Sequence, residues 1–318
     1  MATNTSLNSK PTDVFKTFPE FSSLTLKDQA HYERYVKDLP PIGDVQFFSL
    51  MTWWDTLDGV RVSTLNGNLV IQYWRPGDEK HSGLSLVGTN RIDESLCTIF
   101  DHLREQGQPV KLVNVPEFVI NSIEYPDLYN FYADRKYDEY VMPVASFYPL
   151  DNLKGVRRRR AERLLKKYGD KLRVEELDLS KVENSDLLAS AGRAWWWKNI
   201  NNFGRVGLES MCKLIANYET FGIRNICVFA GDELLGYCLF RQTDDKTCAI
   251  VPHVRATHSS TIGFELVGYL LGKWFNEHGV EHCNLTQDWG SPRLRMFMMT
   301  LGPTNYFHKY TIEPVDEP

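Results

Sequence analysis

The chain has 318 residues, 42% of them apolar and 13% aromatic, with a net charge of −5. Its length accommodates two domains of ordinary size, and its apolar share excludes global disorder. Ten basic residues between Lys154 and Arg173 face only Glu162 and Asp170, so that segment carries about +8 and the remainder about −13. This excludes a chain-wide nucleic-acid surface but leaves room for one local anionic docking site.

Residues 1–19 are expected to be a flexible lead; its opening MATNTSLNSKPT is polar and has neither the basic start nor the apolar run of a signal peptide. The most apolar stretch, 264–275, contains Glu265 and Lys273 and is too short to span a bilayer. Six cysteines (Cys97, Cys212, Cys227, Cys238, Cys248, Cys283) lack regular spacing, which predicts reduced thiols and a cytoplasmic location.

In chain order, 26–37 and 45–57 have helical apolar spacing. Residues 60–65 and 68–74 are strands around Asn66-Gly67, a strong hairpin signal. Residues 83–87 supply a third strand, and 92–106 form an amphipathic helix stopped by Gly107. A strand at 110–115, a short helix at 125–133 and a strand at 137–148 complete the first unit. Residues 151–168 are a basic connecting helix closed by Gly169. Helices at 186–199 and 208–221 follow, then strands at 223–230, 233–241 and 247–254. A helix at 261–278, a strand at 282–286, a helix at 291–300 and a strand at 306–313 end the chain. Both halves read ααβββαβαβ. The expected division is 20–149, 150–170 and 171–318, two α/β units joined by the basic helix.

Three segments carry a family resemblance. Tyr148-Pro-Leu-Asp-Asn-Leu-Lys-Gly155 with the arginine run, Asn284-Leu-Thr-Gln-Asp-Trp-Gly290 with Leu294-Arg295, and Pro303 with Lys309-Tyr310 resemble the soluble catalytic region of phosphatidylglycerol lysyltransferases. That is a tandem family of the GNAT (N-acetyltransferase-type) fold. Met298 stands where the family usually has a lysine, and Arg157–Arg160 lack its asparagine. The family's membrane-embedded half is absent. The resemblance implies a duplicated GNAT fold with a mixed sheet in each copy. It also implies transfer of an aminoacyl group from aminoacyl-tRNA to an amine or hydroxyl acceptor, with catalysis in the second copy. No further cofactor is expected, no integral membrane segment is expected, and peripheral membrane contact stays open.

Such an ester is already activated, so the protein needs only to align two substrates, accept a proton and stabilise an oxyanion. No G-x-S-x-G and no cysteine beside a plausible base occurs. Asn284, Gln287, Asp288 and Arg295, at the end of a strand and the start of a helix, are the candidate catalytic group. Asp288 could take a proton or orient an ammonium, and Arg295 could clamp an anion. A helix cap and a structural ion pair are the alternative. Pro252 fits the bulge by which GNAT folds splay two strands into a donor cleft. The loop after it, with Arg255, Thr257, His258, Ser259 and Ser260, has no glycine before Gly263. It therefore lacks the coenzyme A fingerprint, although its hydroxyls could meet an anion.

The basic helix suits a tRNA acceptor stem. Lys154, Arg157 and Arg158 can share one face, and Arg160, Arg163 and Lys167 another. A solvated linker is the plain alternative. Trp196, within Trp195-Trp196-Trp197, and His253 and His258 are candidates for an acceptor pocket, core packing being the other use of the tryptophans. His278 and His282 are separated by a helix end, so no metal site is expected. Rival functions are an acyl-coenzyme-A-dependent N-acyltransferase and a non-catalytic RNA-binding module.

Overall fold

The computed structural model describes residues 14–53, 59–73, 83–203, 206–257 and 263–315. The first elements are β1 (Ser22–Ser23), α1 (Gln29–Val36), α2 (Phe47–Thr52), β2 (Arg61–Leu65), β3 (Asn68–Tyr73) and β4 (Gly83–Val87). Next come α3 (Ile92–Glu105), β5 (Leu112–Pro116), α4 (Glu117–Ile120), β6 (Tyr129–Ala133) and β7 (Glu139–Pro143). The basic helix is α5 (Gly155–Tyr168), followed by β8 (Leu172–Glu175), α6 (Val182–Phe203), α7 (Val206–Ala216) and α8 (Tyr218–Phe221). Then come β9 (Arg224–Ala230), β10 (Glu233–Gln242), β11 (Cys248–Ala256), α9 (Gly263–Glu277) and β12 (His282–Gln287). The last are α10 (Pro292–Thr300), β13 (Asn305–Phe307) and β14 (Lys309–Pro314).

Two mixed seven-stranded sheets result, β1-β2-β3-β4-β5-β14-β6 and, written in the matching direction, β8-β9-β10-β11-β12-β7-β13. In each, an antiparallel run leads to one parallel pair, β4 with β5 and β11 with β12. The hairpin at Asn66-Gly67 is present, with φ of 52° and 81°, the left-handed pair such a tight turn requires.

Three expectations fail. Of the lead expected to be flexible at 1–19, the described residues 14–19 are packed, with Phe15 and Phe18 buried in the cores and the Phe18 amide donating to the Thr64 carbonyl at 2.9 Å. Residues 125–133 are not a helix: a single 3-10 turn at Pro126–Leu128 leads into β6, whose aromatic residues pair along β14. The strands at 137–148 and 306–313 do not close their own units. β7 lies between β12 and β13 in the second sheet. The last strand breaks at His308, and β14 crosses to lie between β5 and β6 in the first sheet. Each sheet thus receives its sixth strand from the other half of the chain.

Both receiving strands kink at the same place. Val113 and Asn114 of β5 stand against one residue of β14, and Leu285 and Thr286 of β12 against one residue of β7. Asn114 and Thr286, at φ of 54° and 59°, carry the turn.

Apolar surface is shared among three cores. One joins the sheets, with Tyr32, Phe47 and Phe48 from α1 and α2 packed against Met211, Leu214 and Tyr237. α3 covers the outer face of the first sheet, while α9 and α5 cover that of the second. Close approach is demanded at Gly236 of β10, where an added Cβ would lie 2.7 Å from the Arg255 carbonyl and 2.8 Å from the Val267 methyls. Gly236→Ala should therefore destabilise the protein by about 1–3 kcal/mol through overpacking. Urea unfolding checks this, and a change within about 0.5 kcal/mol would mean that α9 yields freely.

Candidate functional site

β11 carries the bulge expected at Pro252. Leu239 of β10 pairs with His253 and Arg241 with Ile250, so Val251 and Pro252 together oppose Phe240. A proline is tolerated there because the ladder asks for no donor. β11 and β12 pair in parallel only from Cys248–His282 to Ile250–Asn284, and β11 then runs six residues further. The two strands part beyond the bulge. On the α9 side of the opening lies a narrow apolar slot lined by Val251, Val254, Phe264, Gly268, Cys283 and Leu285.

The end of β12 and the segment after it wind through three left-handed residues, Thr286, Trp289 (φ 53°) and Gly290 (φ 74°). Non-glycine residues enter that region only when surrounding bonds hold them. Asn284 supplies one, its Oδ1 accepting from the Thr286 amide at 2.9 Å. Asp288, fully buried, supplies the rest. It accepts from the Tyr140 hydroxyl at 2.6 Å, the Gly290 amide at 2.7 Å, and Arg295 Nε and Nη2 at 2.6 and 3.1 Å. Burial alone would raise its pKa. The donated bonds from Arg295, Tyr140 and Gly290 outweigh burial and leave it below the usual carboxylate value. With four donors on two oxygens, Asp288 has the geometry of an anchor for Arg295 and offers an incoming proton no free lone pair. Arg295 keeps its remaining edge toward solvent, its side chain 32% exposed. The helix cap is Ser291, whose hydroxyl accepts from the Leu294 amide at 3.3 Å.

Asn284 and Gln287 belong to a second buried network that joins the exchanged strands. Lys309 Nζ, 1% exposed, lies 2.6 Å from both Asp44 Oδ2 and Glu139 Oε1. Glu139 also accepts from the Gly43 and Asp44 amides at 2.6 and 2.9 Å and from Asn284 Nδ2 at 2.5 Å. Asn284 Nδ2 reaches the Pro41 carbonyl at 2.9 Å, and Gln287 Nε2 donates to Asp44 Oδ2. Burial works against the Lys309 charge, and the pull of Asp44 and Glu139 overcomes it, raising the ammonium above its ordinary pKa. Asn284 and Gln287 are therefore turned into the joint between the sheets and away from the opening.

On the other face of β11, His253 is buried and held neutral, first by burial and then by the Arg255 charge. Arg255 Nη2 lies 3.3 Å from Nδ1, which makes Nδ1 the acceptor. Nε2–H then faces Ser210 Oγ at 3.4 Å, and Ser210 Oγ reaches Thr52 Oγ1 at 3.2 Å. Trp53 stacks between His253 and Trp289, at 5.4 and 5.5 Å. Of the three consecutive tryptophans, Trp195 reaches this face, under Arg255 at 4.2 Å. Trp196 packs edge-on against Trp197, 5.0 Å away. Arg255, read from sequence with the donor loop, instead points toward α6 beside His253. His258, Ser259 and Ser260 lie outside the described residues.

The basic helix α5 turns Ala161 and Leu164 inward. Arg157 joins that inner side, its Nη1 donating to the Thr300 carbonyl at 3.0 Å, with burial lowering its pKa. Arg158 is paired with Glu162 at 2.8 Å and Asp151 at 3.0 Å, and Arg160 with Glu265 at 2.8 Å. The outward stripe is Arg159, Arg163, Lys166 and Lys167, with Lys154 exposed at the helix start. The face expected from Lys154, Arg157 and Arg158 is thus broken up, because Arg157 is occupied by α10. Among the described residues no group of three or more metal-ligating side chains occurs, and no helix is long and apolar enough to cross a membrane.

Compared by sequence, the chain matches no family model and no curated protein. Compared by structure, it resembles a conserved protein of unknown function from Bacteroides thetaiotaomicron, with TM-score 0.73, 18% identity, and 93% and 99% of the two chains covered. It also resembles the C-terminal domain of a putative lysylphosphatidylglycerol synthetase from Agrobacterium fabrum, with TM-score 0.58, 14% identity, and 91% and 92% covered. A GNAT-family acetyltransferase from Colwellia psychrerythraea aligns at TM-score 0.51 and 10% identity, over 93% and 100% of the chains. The fold is the GNAT fold. In its terms, β11 with the bulge at Val251–Pro252 and β12 are the parted parallel pair of the second sheet. β4 and β5, paired at the single register Leu84–Leu112, are the corresponding strands of the first.

Sequence reasoning missed Tyr140, Glu139, Asp44, Trp53 and Ser210, all of which meet their partners across more than 40 residues of chain. Only Lys309 had left a signal, in the Lys309-Tyr310 pair.

Proposed function

We propose that this chain is an acyltransferase that moves an aminoacyl group from aminoacyl-tRNA to an amine or hydroxyl acceptor. The division into a first unit at 20–149, a connecting helix at 150–170 and a catalytic unit at 171–318 belongs to this reading. The observation that carries it is the placement of α5. Its outward basic stripe stands beside α9, tied there by Arg160 and Glu265, and α9 roofs the cleft where β11 leaves β12. An acceptor stem lying along α5 would have its phosphates met by Arg159, Arg163, Lys166 and Lys167, beside that opening.

The acceptor's lone pair attacks the ester carbonyl, the bond to the terminal ribose oxygen breaks, and the acceptor's proton ends on that oxygen. No protein nucleophile and no cofactor is required. Arg295, oriented by Asp288, supplies positive charge at the open end of β12.

The test compares deacylated tRNA and an aminoacyl-minihelix over a range of salt. Wild type should show a steep dependence of affinity on salt. The triple variant Arg159→Ala, Arg163→Ala, Lys166→Ala should lower the slope by roughly 0.7–0.9 per lost phosphate contact. Tight coenzyme A binding alongside an unchanged slope would favour an acyl-coenzyme-A donor and retire this reading. Tight minihelix binding without transfer of the labelled amino acid to any acceptor in cell extract would leave an RNA-binding module.

A further inference from the structure

Arg158, Arg160, Arg173, Arg224, Arg241 and Arg295 each reach a carboxylate. Arg255, half-buried at the end of β11, reaches none among the described residues. Its Nη1 donates to the Val254 carbonyl at 2.8 Å and its Nη2 to His253 Nδ1 at 3.3 Å, while its guanidinium lies 4.2 Å over the Trp195 ring. These contacts fix the plane of the group without neutralising it. Burial lowers its pKa, as expected of a cation drawn from water with no counter-charge among the described residues.

The position suits a ligand. Arg255 lies beyond the last β11–β12 pair, on the strand face shared with His253, while Val254 points to the α9 side. Trp53, stacked on His253 and Trp289, adds an aromatic surface to the same face. A single guanidinium matches a single negative charge, and its planar fork matches a planar carboxylate. A phosphate dianion would call for a second cation there.

Resting on the acyl-transfer reading, we propose that Arg255 binds a carboxylate of the acceptor, which is therefore an amine- or hydroxyl-bearing acid and not a neutral molecule. The ligand sits against Trp195 and the Trp53 stack, across the sheet from α5, so donor and acceptor approach the parted strands from opposite faces.

The test measures binding to the full chain by calorimetry, without any transfer step. The probes are benzoate, phenyl phosphate, benzyl alcohol and AMP, the last standing for the donor's terminal nucleotide. Benzoate should bind best, with Arg255→Met weakening it at least tenfold and Arg255→Lys less, because lysine keeps the charge and loses the fork. Circular dichroism checks that both variants fold, and Arg255→Lys carries the comparison if Arg255→Met does not. A short peptide with a free C-terminus, against its amide, separates a peptide terminus from a small free acid as the source of the carboxylate.

Equal benzoate affinity in wild type and Arg255→Lys and Arg255→Met overturns the proposal, as does tighter binding of benzyl alcohol. Preference for phenyl phosphate overturns the carboxylate, and preference for AMP moves Arg255 to the donor. Transfer that fails while benzoate binds through Arg255 sinks only the proposed function. Transfer that succeeds while benzoate ignores Arg255 sinks only this inference.

Discussion

Replacing Lys309 with methionine should destabilise the protein by about 3–5 kcal/mol, the range for removing one partner from a buried ion pair. Lys309 is the cation 2.6 Å from both Asp44 and Glu139, and its loss leaves two carboxylates facing each other out of water. Backbone amides of Gly43 and Asp44 and the amide of Asn284 solvate Glu139 but carry no charge. The triple replacement Lys309→Met, Glu139→Gln, Asp44→Asn should recover a large part of the loss, since neutral groups of similar shape need no counter-charge. Guanidinium unfolding of wild type, Lys309→Met and the triple variant measures both effects. A Lys309→Met protein within about 1 kcal/mol of wild type would show that water reaches the cluster. The pH dependence has a definite sign. The folded pKa of Lys309 lies above its ordinary 10.5, so its contribution is complete below that value and is lost as pH rises through the folded pKa.

Asp288→Asn should lower stability by about 2–4 kcal/mol, somewhat under the full cost of breaking a buried pair because Arg295 keeps contact with water. The amide cannot accept from Tyr140, Gly290 and both nitrogens of Arg295 together, and the left-handed turn through Trp289 loses its anchor. Transfer measured in a single turnover should fall by less than about tenfold, through a loosened Arg295. A proton acceptor at that position would instead show a loss of about 10²–10⁴ with stability nearly intact. Thermal unfolding and single-turnover transfer on this one variant separate the two roles. In wild type the depressed pKa makes the Asp288 contribution complete above the ordinary 3.8 and lost as pH falls through the lower folded value. Asp288→Asn should remove that acid-side step.

Local signals were readable where local physics decides. The hairpin at Asn66-Gly67, the helix stops at Gly107 and Gly169, and the bulge at Pro252 each follow from what one or two residues can do with their backbone. Destinations were not readable. Alternation in 137–148 and 306–313 reports a strand with a buried side, not which sheet will receive it. For the same reason 129–133, short and aromatic, gave no sign that β14 would arrive to pair with it. The candidate site suffered the same limit. Asn284, Gln287 and Asp288 were found because they cluster along the chain. Their side chains serve partners at Glu139, Asp44 and Tyr140, which lie at least 145 positions away for the first and third. Lys309, by type a surface residue, is buried only because of the exchange.

The exchange of β7 and β14 also governs the order in which the protein can be completed during synthesis. β5 and β6 leave the ribosome early, yet the strand that fills the gap between them ends at Pro314. Until then the nascent first half holds two unsatisfied strand edges and a β7 whose neighbours do not yet exist. Folding unit by unit from the N-terminus, the usual route for long chains, is closed to it. Neither half, released alone by proteolysis or by cutting the gene at α5, inherits a complete sheet.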